Sequence, residues 1–559
     1  VPSRVDVHLA HLGYGTAAAK AVVLRLPQGA PPEALSLVPG EIPLTAGPVA
    51  EVPGWSAGPF ARVELPGGLP PGRYAVRAGD ALSEPFDVGP GQVQRQTLSD
   101  VLAYFKAMRS SGEIDRKDRR AAFWGDTSGT TLDARGGWLD ASGDTSKFLS
   151  HLTYTRTMSP QQIPLCAWAM MAARDEIAAR HPALKTAVGV RLRDEALFGA
   201  DFLMRFRSQD EGFFYTGIFD ALTKRLEERV VTAPLPECVR TDRYRAGYRH
   251  GGGLAIAALA RASTLDDEGD FGRDAYLAAA RQGLAHLEEH NRAYLHDGAE
   301  NVVDDYTALL AATELVAAGA AEAEPAARRR AAALAGRYTR PGGPGWFVAD
   351  DEGRPFFHAA EAGLPVLALV RFAQVLPDAP EAARALDVAR QAMLDTLERT
   401  HAVPNPFGYP RQRVQPAGGQ PADAFFFPHA NETGYWWQGE NATIASLSAA
   451  ASACAGLDGL TAGERERLAS FADDQVAWIT GRNPFDICMI QGRGRNNADY
   501  ASDFPNLPGG IVNGITSGWD DEADIAFLPA GAPEGDAWRW AEQWIPHTGW
   551  FLLAVACAR

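Results

Sequence analysis

The sequence predicts a mainly helical protein in two parts, a small β-sandwich over residues 1–92 and a long helical domain over residues 93–559. Three observations predict it. Short runs of alternating apolar and polar residues fill the first part, separated by Gly/Pro turns at sandwich-like spacing. Gly89-Pro-Gly91 then breaks the pattern. Beyond it the apolar spacing changes to the helical period, and no comparable strand series returns. A chain of 559 residues also exceeds one ordinary compact core, unless a closed toroid absorbs most of it.

The strand candidates are Val5–Leu9, Ala21–Leu26, Arg62–Leu65, Arg73–Arg77 and Pro85–Val88. This module carries no evident chemistry, and its expected role is to pack against the next domain. Helices are expected near 98–110, 160–178, 184–206, 248–263, 273–290, 301–319, 324–337, 357–376, 379–400, 440–455, 462–480 and 537–557. Twelve helices suggest six pairs, an (α/α)6 toroid, although the pairing itself is not visible in the spacing. Loops at one end of such a toroid would carry the functional groups.

Composition narrows the partners. With 53 Lys and Arg against 69 Asp and Glu, the net charge of −16 argues against nucleic acid and anionic membranes. No apolar run approaches the ~20 residues of a membrane-spanning helix. Thirteen Trp and 14 Tyr suit contact with carbohydrate. The five cysteines are scattered and odd in number, which argues against a disulfide framework and against a zinc site. They favour a cytoplasmic over a periplasmic location; no signal peptide precedes Val1, and a trimmed N-terminus leaves secretion open. The sequence does not set the oligomeric state, a homodimer being one option.

The chemistry concentrates in Gly136-Gly-Trp-Leu-Asp-Ala-Ser-Gly-Asp-Thr-Ser-Lys147. Asp140 and Asp144 stand close together on a turn of small residues that lets a ligand approach. Trp138 is a candidate platform for the apolar face of a sugar ring. Paired carboxylates beside an aromatic suit activation of a water near a carbohydrate. An Asx-turn that only caps the next segment is the competing reading.

This run resembles the Gly-Gly-Trp-(Tyr/Phe)-Asp-Ala-Gly-Asp signature of glycoside hydrolase family 9, the inverting cellulase-like enzymes. One Ser is inserted here, which is more similar to the exo-β-D-glucosaminidases and related exo-acting β-glycosidases. The resemblance implies a closed (α/α)6 barrel and, from Leu12-Gly-Tyr14 and Lys20-Ala-Val-Val23, an immunoglobulin-like N-terminal domain. It also implies a general acid just before the last barrel helix, a position that Glu542 matches. Trp540, Trp544 and Trp550 around Glu542 would lower the local dielectric and raise its proton affinity.

Further stretches fit in order. His151 and Tyr154 follow the paired Asp, and His151 is within sequence reach of a sugar hydroxyl. Asp304, Asp305 and Tyr306 open a helix; they read either as N-terminal caps or, by the resemblance, as pocket wall. Trp436, Trp437, Gln438, Glu440 and Asn441 combine an aromatic wall with planar hydrogen-bonding groups, as pyranose recognition requires. Glu440 is also a candidate partner for a sugar ammonium. Gly481-Arg-Asn-Pro-Phe485 resembles the family's Gly-x-Asn-Pro segment, but Gly494-Arg-Asn-Asn-Ala-Asp-Tyr500 lacks the His-His-Arg patch of endo-acting members. Gly518-Trp-Asp-Asp-Glu-Ala-Asp524 is acidic enough to hold a structural Ca²⁺, without the spacing of a recognised calcium loop. No organic cofactor and no catalytic metal are expected.

The sequence therefore predicts an inverting, exo-acting glycoside hydrolase that releases glucosamine or glucose from β-1,4-linked oligosaccharides. Asp144 is the expected base, Asp140 its partner in holding water, and Glu542 the acid. The alternatives are an endo-β-1,4-glucanase and, in another class, a non-catalytic carbohydrate-binding protein on the same fold.

Overall fold

The computed structural model describes residues 5–27, 29–32, 34–502 and 504–559. Nine strands come first: β1 Asp6–His8, β2 Tyr14–Gly15, β3 Ala21–Arg25, β4 Leu35–Val38, β5 Ile42–Pro43, β6 Phe60–Glu64, β7 Gly72–Ala78, β8 Ala81–Leu82 and β9 Phe86–Gly89. One sheet has the order β1-β3-β6, the other β2-β9-β7-β4-β5 with β8 on β7. Val22, Leu24, Leu37, Val63, Val76 and Phe86 fill the space between them, giving the immunoglobulin-like sandwich. Strand β3 is apolar on both faces because Val23, on its other side, belongs with Phe60 to the core of the helical domain. Trp55, Phe407, Phe425, Phe426 and Trp478 form the aromatic joint between the two parts.

Fourteen α-helices follow: α1 Gln92–Met108, α2 Gly112–Asp118, α3 Ile163–Arg180, α4 Lys185–Arg205, α5 Gly252–Ala262, α6 Arg273–Tyr294 and α7 Val302–Ala317. The rest are α8 Glu324–Gly336, α9 Leu364–Val375, α10 Ala382–His401, α11 Asn441–Ala455, α12 Ala462–Ile479, α13 Trp538–Ala541 and α14 Ile545–Cys557. Apart from the short α2 and α13 they form two rings. The inner ring closes in the order α3, α5, α7, α9, α11, α14 and back to α3, and each inner helix packs against one of α4, α6, α8, α10, α12 and α1 outside it. That is the (α/α)6 toroid. Every residue of α5 and of α14 is buried, so these helices are apolar all round. The outer α6 and α10 bury one face and expose charges on the other. Inner helices approach closely at Gly253, where a Cβ would lie 2.7 Å from the Thr307 side chain.

Several helix boundaries differ from expectation, among them that of α9, which starts at Leu364 rather than near 357. The first helix starts at Gln92 rather than near 98. The expected helix over 537–557 is broken, with Glu542 extended (φ −73°, ψ 140°) between α13 and α14. Pro546 explains the break, since its ring would clash with the carbonyl of Glu542 four residues earlier in a continuous helix. That freed carbonyl accepts the Asn513 N–H at 2.7 Å instead.

The acidic turn over 518–524 is built into its surroundings. Asp524 accepts the Ser56 N–H at 2.7 Å, Asp521 the Ala523 N–H at 2.9 Å and Glu522 the His429 N–H at 3.0 Å. No group of three or more metal-ligating side chains converges among the described residues. No described helix is long and apolar enough to cross a membrane.

Candidate active site

The residues over 140–146 form a tight turn laid against the extended segment 542–545. Asp140 N–H donates to the Ser146 carbonyl at 2.8 Å, Ser142 N–H to Gln543 O at 2.9 Å, and Ile545 N–H to Asp140 O at 3.1 Å. Ser142, the inserted residue, is a staple: its Oγ accepts the Gln543 N–H at 2.8 Å and pairs with Asn506 Oδ1 at 2.7 Å. Gly143 is at φ 85°, and a Cβ there would lie 2.9 Å from Ser502 Oγ and 3.2 Å from the Tyr500 hydroxyl. Only glycine fits this position without strain. Residues over 400 apart in sequence thus hold Asp140, Asp144 and Glu542 in one place.

Asp140 Oδ1 accepts from Gln162 Nε2 at 2.5 Å and from Trp544 Nε1 at 3.1 Å. Asp144 Oδ1 accepts the Ser146 N–H at 2.8 Å. Burial raises the proton affinity of both, strongly for Asp140, where the Asp144 charge adds to it; Asp144 also feels Asp220. Two such carboxylates titrate as a unit, sharing a proton that neither holds alone. Glu542 is pushed well above the usual carboxylate range by burial, then by Asp144 and Asp140. Its side chain still keeps part of its surface open.

A buried charge network supports the turn from behind. Lys147 Nζ contacts Asp118 at 2.7 Å and donates to the carbonyls of Ala134 and Gly136 at 2.6 and 2.9 Å. Arg229 makes a two-point pair with Asp118 at 2.9 and 2.8 Å and reaches the Thr145 carbonyl at 2.7 Å. Thr145 in turn donates to Asp220 at 2.7 Å. The carboxyl of Asp118 is held below its usual range because Lys147 and Arg229 outweigh the burial that opposes ionisation.

The remaining predicted residues divide into those near the turn and those away from it. Trp436 crosses Trp544 edge-on at 6.0 Å, next to the indole that bonds Asp140. Trp437 stacks on His429 at 3.7 Å and is covered by Arg539 at 4.2 Å. Gln438 faces His547, a neutral imidazole whose Nδ1 accepts the Ala442 N–H at 2.7 Å. Tyr154 donates to the Thr433 carbonyl at 2.7 Å, and His151 lies flat on Phe148 at 4.4 Å.

Trp138 does not offer a sugar platform. It is 0% exposed, and its Nε1 donates to Glu195 of α4 at 2.9 Å, in the layer behind the turn. Asp304 closes a capping box with Asn301 and meets Arg249 at 3.4 Å, so the capping reading is what the structure contains. Asp305 is paired with Arg330 at 3.1 Å and Arg337 at 2.5 Å. Tyr306 donates to Glu361 at 2.5 Å within the core. Glu440 is no free partner for an ammonium: Tyr409 hydroxyl and Phe427 N–H occupy its two oxygens at 3.1 and 2.9 Å, and burial pushes it up to about 8. Asn441 donates to the Val512 carbonyl at 2.8 Å.

Sequence reasoning missed five neighbours of the carboxylates. Gln162 and Asp220 are named above. Tyr500 and Lys224 lie within electrostatic reach of the Glu542 carboxyl. Tyr435, an exposed side chain, lies within electrostatic reach of Asp140 and Asp144. Tyr500 occupies the stretch where the His patch is missing, the one signal that pointed to it. A cavity of about 570 Å³ behind the turn, lined by Arg109, Arg205 and Gly136, contains none of the three carboxylates.

Comparison with known proteins bears on the family and the fold. The family model described as glycosyl hydrolase family 9 matches residues 95–503. No curated protein matches the sequence. Among solved structures, a metagenome-derived glycoside hydrolase family 9 endoglucanase superposes with a TM-score of 0.66 at 18% identity, covering 99% of this chain and 98% of that one. A family 9 glycoside hydrolase of Bacteroides ovatus gives 0.65 at 16% identity, over 99% and 98%. A single mutant of a thermostable endoglucanase from Alicyclobacillus acidocaldarius gives 0.64 at 16% identity, over 99% of both chains. These likenesses show a shared fold.

Proposed function

The chain belongs to glycosyl hydrolase family 9 and is a glycoside hydrolase; from that premise we propose an inverting, exo-acting enzyme that releases a gluco-configured sugar from the non-reducing end of β-1,4-linked oligosaccharides. The observation that carries this reading is the Asp140–Asp144 pair, buried, without an ion pair among the described residues, and tied by backbone bonds to the extended segment of Glu542.

In this mechanism Asp144 takes a proton from water as the water attacks the anomeric carbon. Asp140, fixed by Gln162 and Trp544, orients that water and shares the proton. Glu542 is protonated at rest because burial and two nearby carboxylates disfavour its charge, and it gives the proton to the departing glycosidic oxygen. The bond from the anomeric carbon to that oxygen breaks as the bond to water forms, leaving a free sugar and an alcohol. Tyr500 and Ser502 lie against Gly143, beside the paired aspartates. Which sugar fills the site, glucosamine or glucose, is read from hydrolysis of the two p-nitrophenyl glycosides side by side.

The endo reading is favoured by two of the three similar structures above, which are endoglucanases. The products of a tetrasaccharide separate the two. Exo action gives monosaccharide from the first time point; disaccharide as the dominant early product, with early loss of viscosity in a soluble cellulose derivative, would replace it by the endo reading.

A further inference from the structure

One peptide plane orients Asp144. The carboxylate Oδ1 accepts the Ser146 N–H at 2.8 Å, and the other end of that same peptide, the Thr145 carbonyl, accepts from Arg229 Nη1 at 2.7 Å. A peptide unit is planar, so fixing its carbonyl fixes the direction in which its N–H points. A cation on the carbonyl also polarises the unit and strengthens the bond that the N–H donates. Thr145 is held a second time through its side chain, whose Oγ1 donates to Asp220 Oδ2 at 2.7 Å. Arg229 Nη1 stands 3.9 Å from that Asp220 oxygen, and both side chains are fully buried.

The local fold builds this arrangement. The strands Gly217–Phe219 and Val230–Val231 pair antiparallel with Phe219 opposite Val230, so Asp220 leaves the first strand beside Arg229 entering the second. Lys147–Phe148 pairs with Gly217–Phe219 on its other edge, Lys147 opposite Ile218, and continuing that register by two residues sets Thr145 opposite Asp220. The other two nitrogens of Arg229 fork onto Asp118 at 2.9 and 2.8 Å, which fixes the plane of the guanidinium. Asp220 is fixed as well. Just after it Ala221, Leu222 and Lys224 adopt positive φ of 58°, 61° and 60°, and the Leu222 N–H is thereby brought onto Asp220 Oδ1 at 2.9 Å. That region disfavours residues with a Cβ and persists where the surroundings impose it.

We propose that Arg229 and Asp220 are positioning residues of the reaction, a clamp on Thr145 that aims the Asp144 carboxylate through the Thr145–Ser146 peptide. This rests on Asp144 as the base in the reading above, and both residues act through Asp144 rather than on the substrate. Their charges reach it with opposite sign: Asp220 adds to the burial that raises its proton affinity, and Arg229 opposes it. The other acids acting on Asp144 are Asp140 and Glu542, the latter in reach of Lys224 as well. Tyr435, Tyr500 and Cys238 are the further titratable groups that feel its charge.

Steady-state kinetics across pH on Asp220→Asn and Arg229→Gln test it. Both should lower kcat by ~10-fold or more and leave KM within ~2-fold, because aim is lost and binding is not. The acid limb of the pH profile separates the clamp from mere support of the fold. Loss of the Arg229 cation disfavours the ionised base and should move the limb to higher pH. Loss of the Asp220 anion should move it to lower pH, each by ~0.5 pH unit or more. Arg229→Lys keeps the charge without the fork, so the limb should stay while kcat remains below that of the parent. Asp118 retains Lys147 in every variant, and Asp220→Asn, close to the parent in shape, carries the test if Arg229→Gln does not fold.

An acid limb that stays in place in Asp220→Asn, or limbs that move in the same direction in the two variants, overturn the clamp, as does a kcat within ~2-fold of the parent. The anomer released first keeps this separate from the base assignment. Opposite shifts with the β-anomer first would keep the clamp and make Asp144 a nucleophile. Unmoved limbs with the α-anomer first would overturn the clamp and keep Asp144 as base.

Discussion

Two pairs of neighbouring carboxylates sit in the same toroid and differ in the partners they are given. Asp140 and Asp144 lie on a turn and make no ion pair among the described residues; burial raises the proton affinity of both, helped by the Asp144 charge at Asp140 and by Asp220 at Asp144. Asp304 and Asp305 are as deeply buried, but Arg249 meets the first, and Arg330 and Arg337 meet the second. Burial alone therefore does not mark the reactive pair. Burial raises the proton affinity of Asp304 too, but there Arg249 opposes it, whereas at Asp140 the neighbouring Asp144 charge adds to burial. Glu542 belongs with the first pair, since its neighbours include two further acids.

The largest effect should come from Asp144→Asn. Loss of the base lowers kcat by ~10³–10⁴-fold on every substrate, since water activation is needed whatever the leaving group. A loss under ~10-fold in a steady-state assay would move the base role to Asp140 and erase the asymmetry between the two aspartates.

Glu542→Gln comes next. Alkyl and disaccharide substrates should lose ~10²–10³-fold, and p-nitrophenyl glycosides less, because their leaving group needs little protonation. The pH profile sharpens this. The aspartate pair must hold one ionised carboxylate, which sets the acid limb, and its raised proton affinity moves that limb to higher pH. Glu542 must be protonated, so its own raised affinity carries the alkaline limb upward. In Glu542→Gln the alkaline limb should vanish and the acid limb stay; loss of the acid limb instead would reverse the two roles.

The smallest effect on rate belongs to the other pair. Asp305→Asn should change kcat/KM by less than ~2-fold but cost on the order of 1–3 kcal/mol of stability, because the Arg337 guanidinium loses its carboxylate partner. A large fall in activity at unchanged melting temperature would return Asp305 to the pocket wall.

Much of this was legible before the fold was known. The change from alternating to helical spacing marked both parts of the chain. The turn residues over 136–147 put two acids together, and Pro546 two residues into the last helix could have announced that Glu542 stands outside it. What spacing does not carry is the direction of a side chain within a loop. Trp138 was expected to face a sugar and instead bonds Glu195, 57 residues on. Glu440 was expected to face an ammonium, but its partners are a tyrosine hydroxyl and a backbone amide inside the wall. Tyr500, Lys224 and the Asp118–Lys147–Arg229 network were equally hidden, since each joins segments that only the closed toroid brings together.

The measurement that tests the central claim most directly is proton NMR of the sugar at the moment of release from a β-glycoside. If Asp144 activates a water on the face opposite Glu542, the two carboxyl groups leave ~6.5–9.5 Å for it, against ~5–5.5 Å in an enzyme that forms a covalent intermediate. The α-anomer should then appear first, with the β-anomer growing in only at the rate of mutarotation. Initial appearance of the β-anomer would contradict the account and make one of the two aspartates a nucleophile.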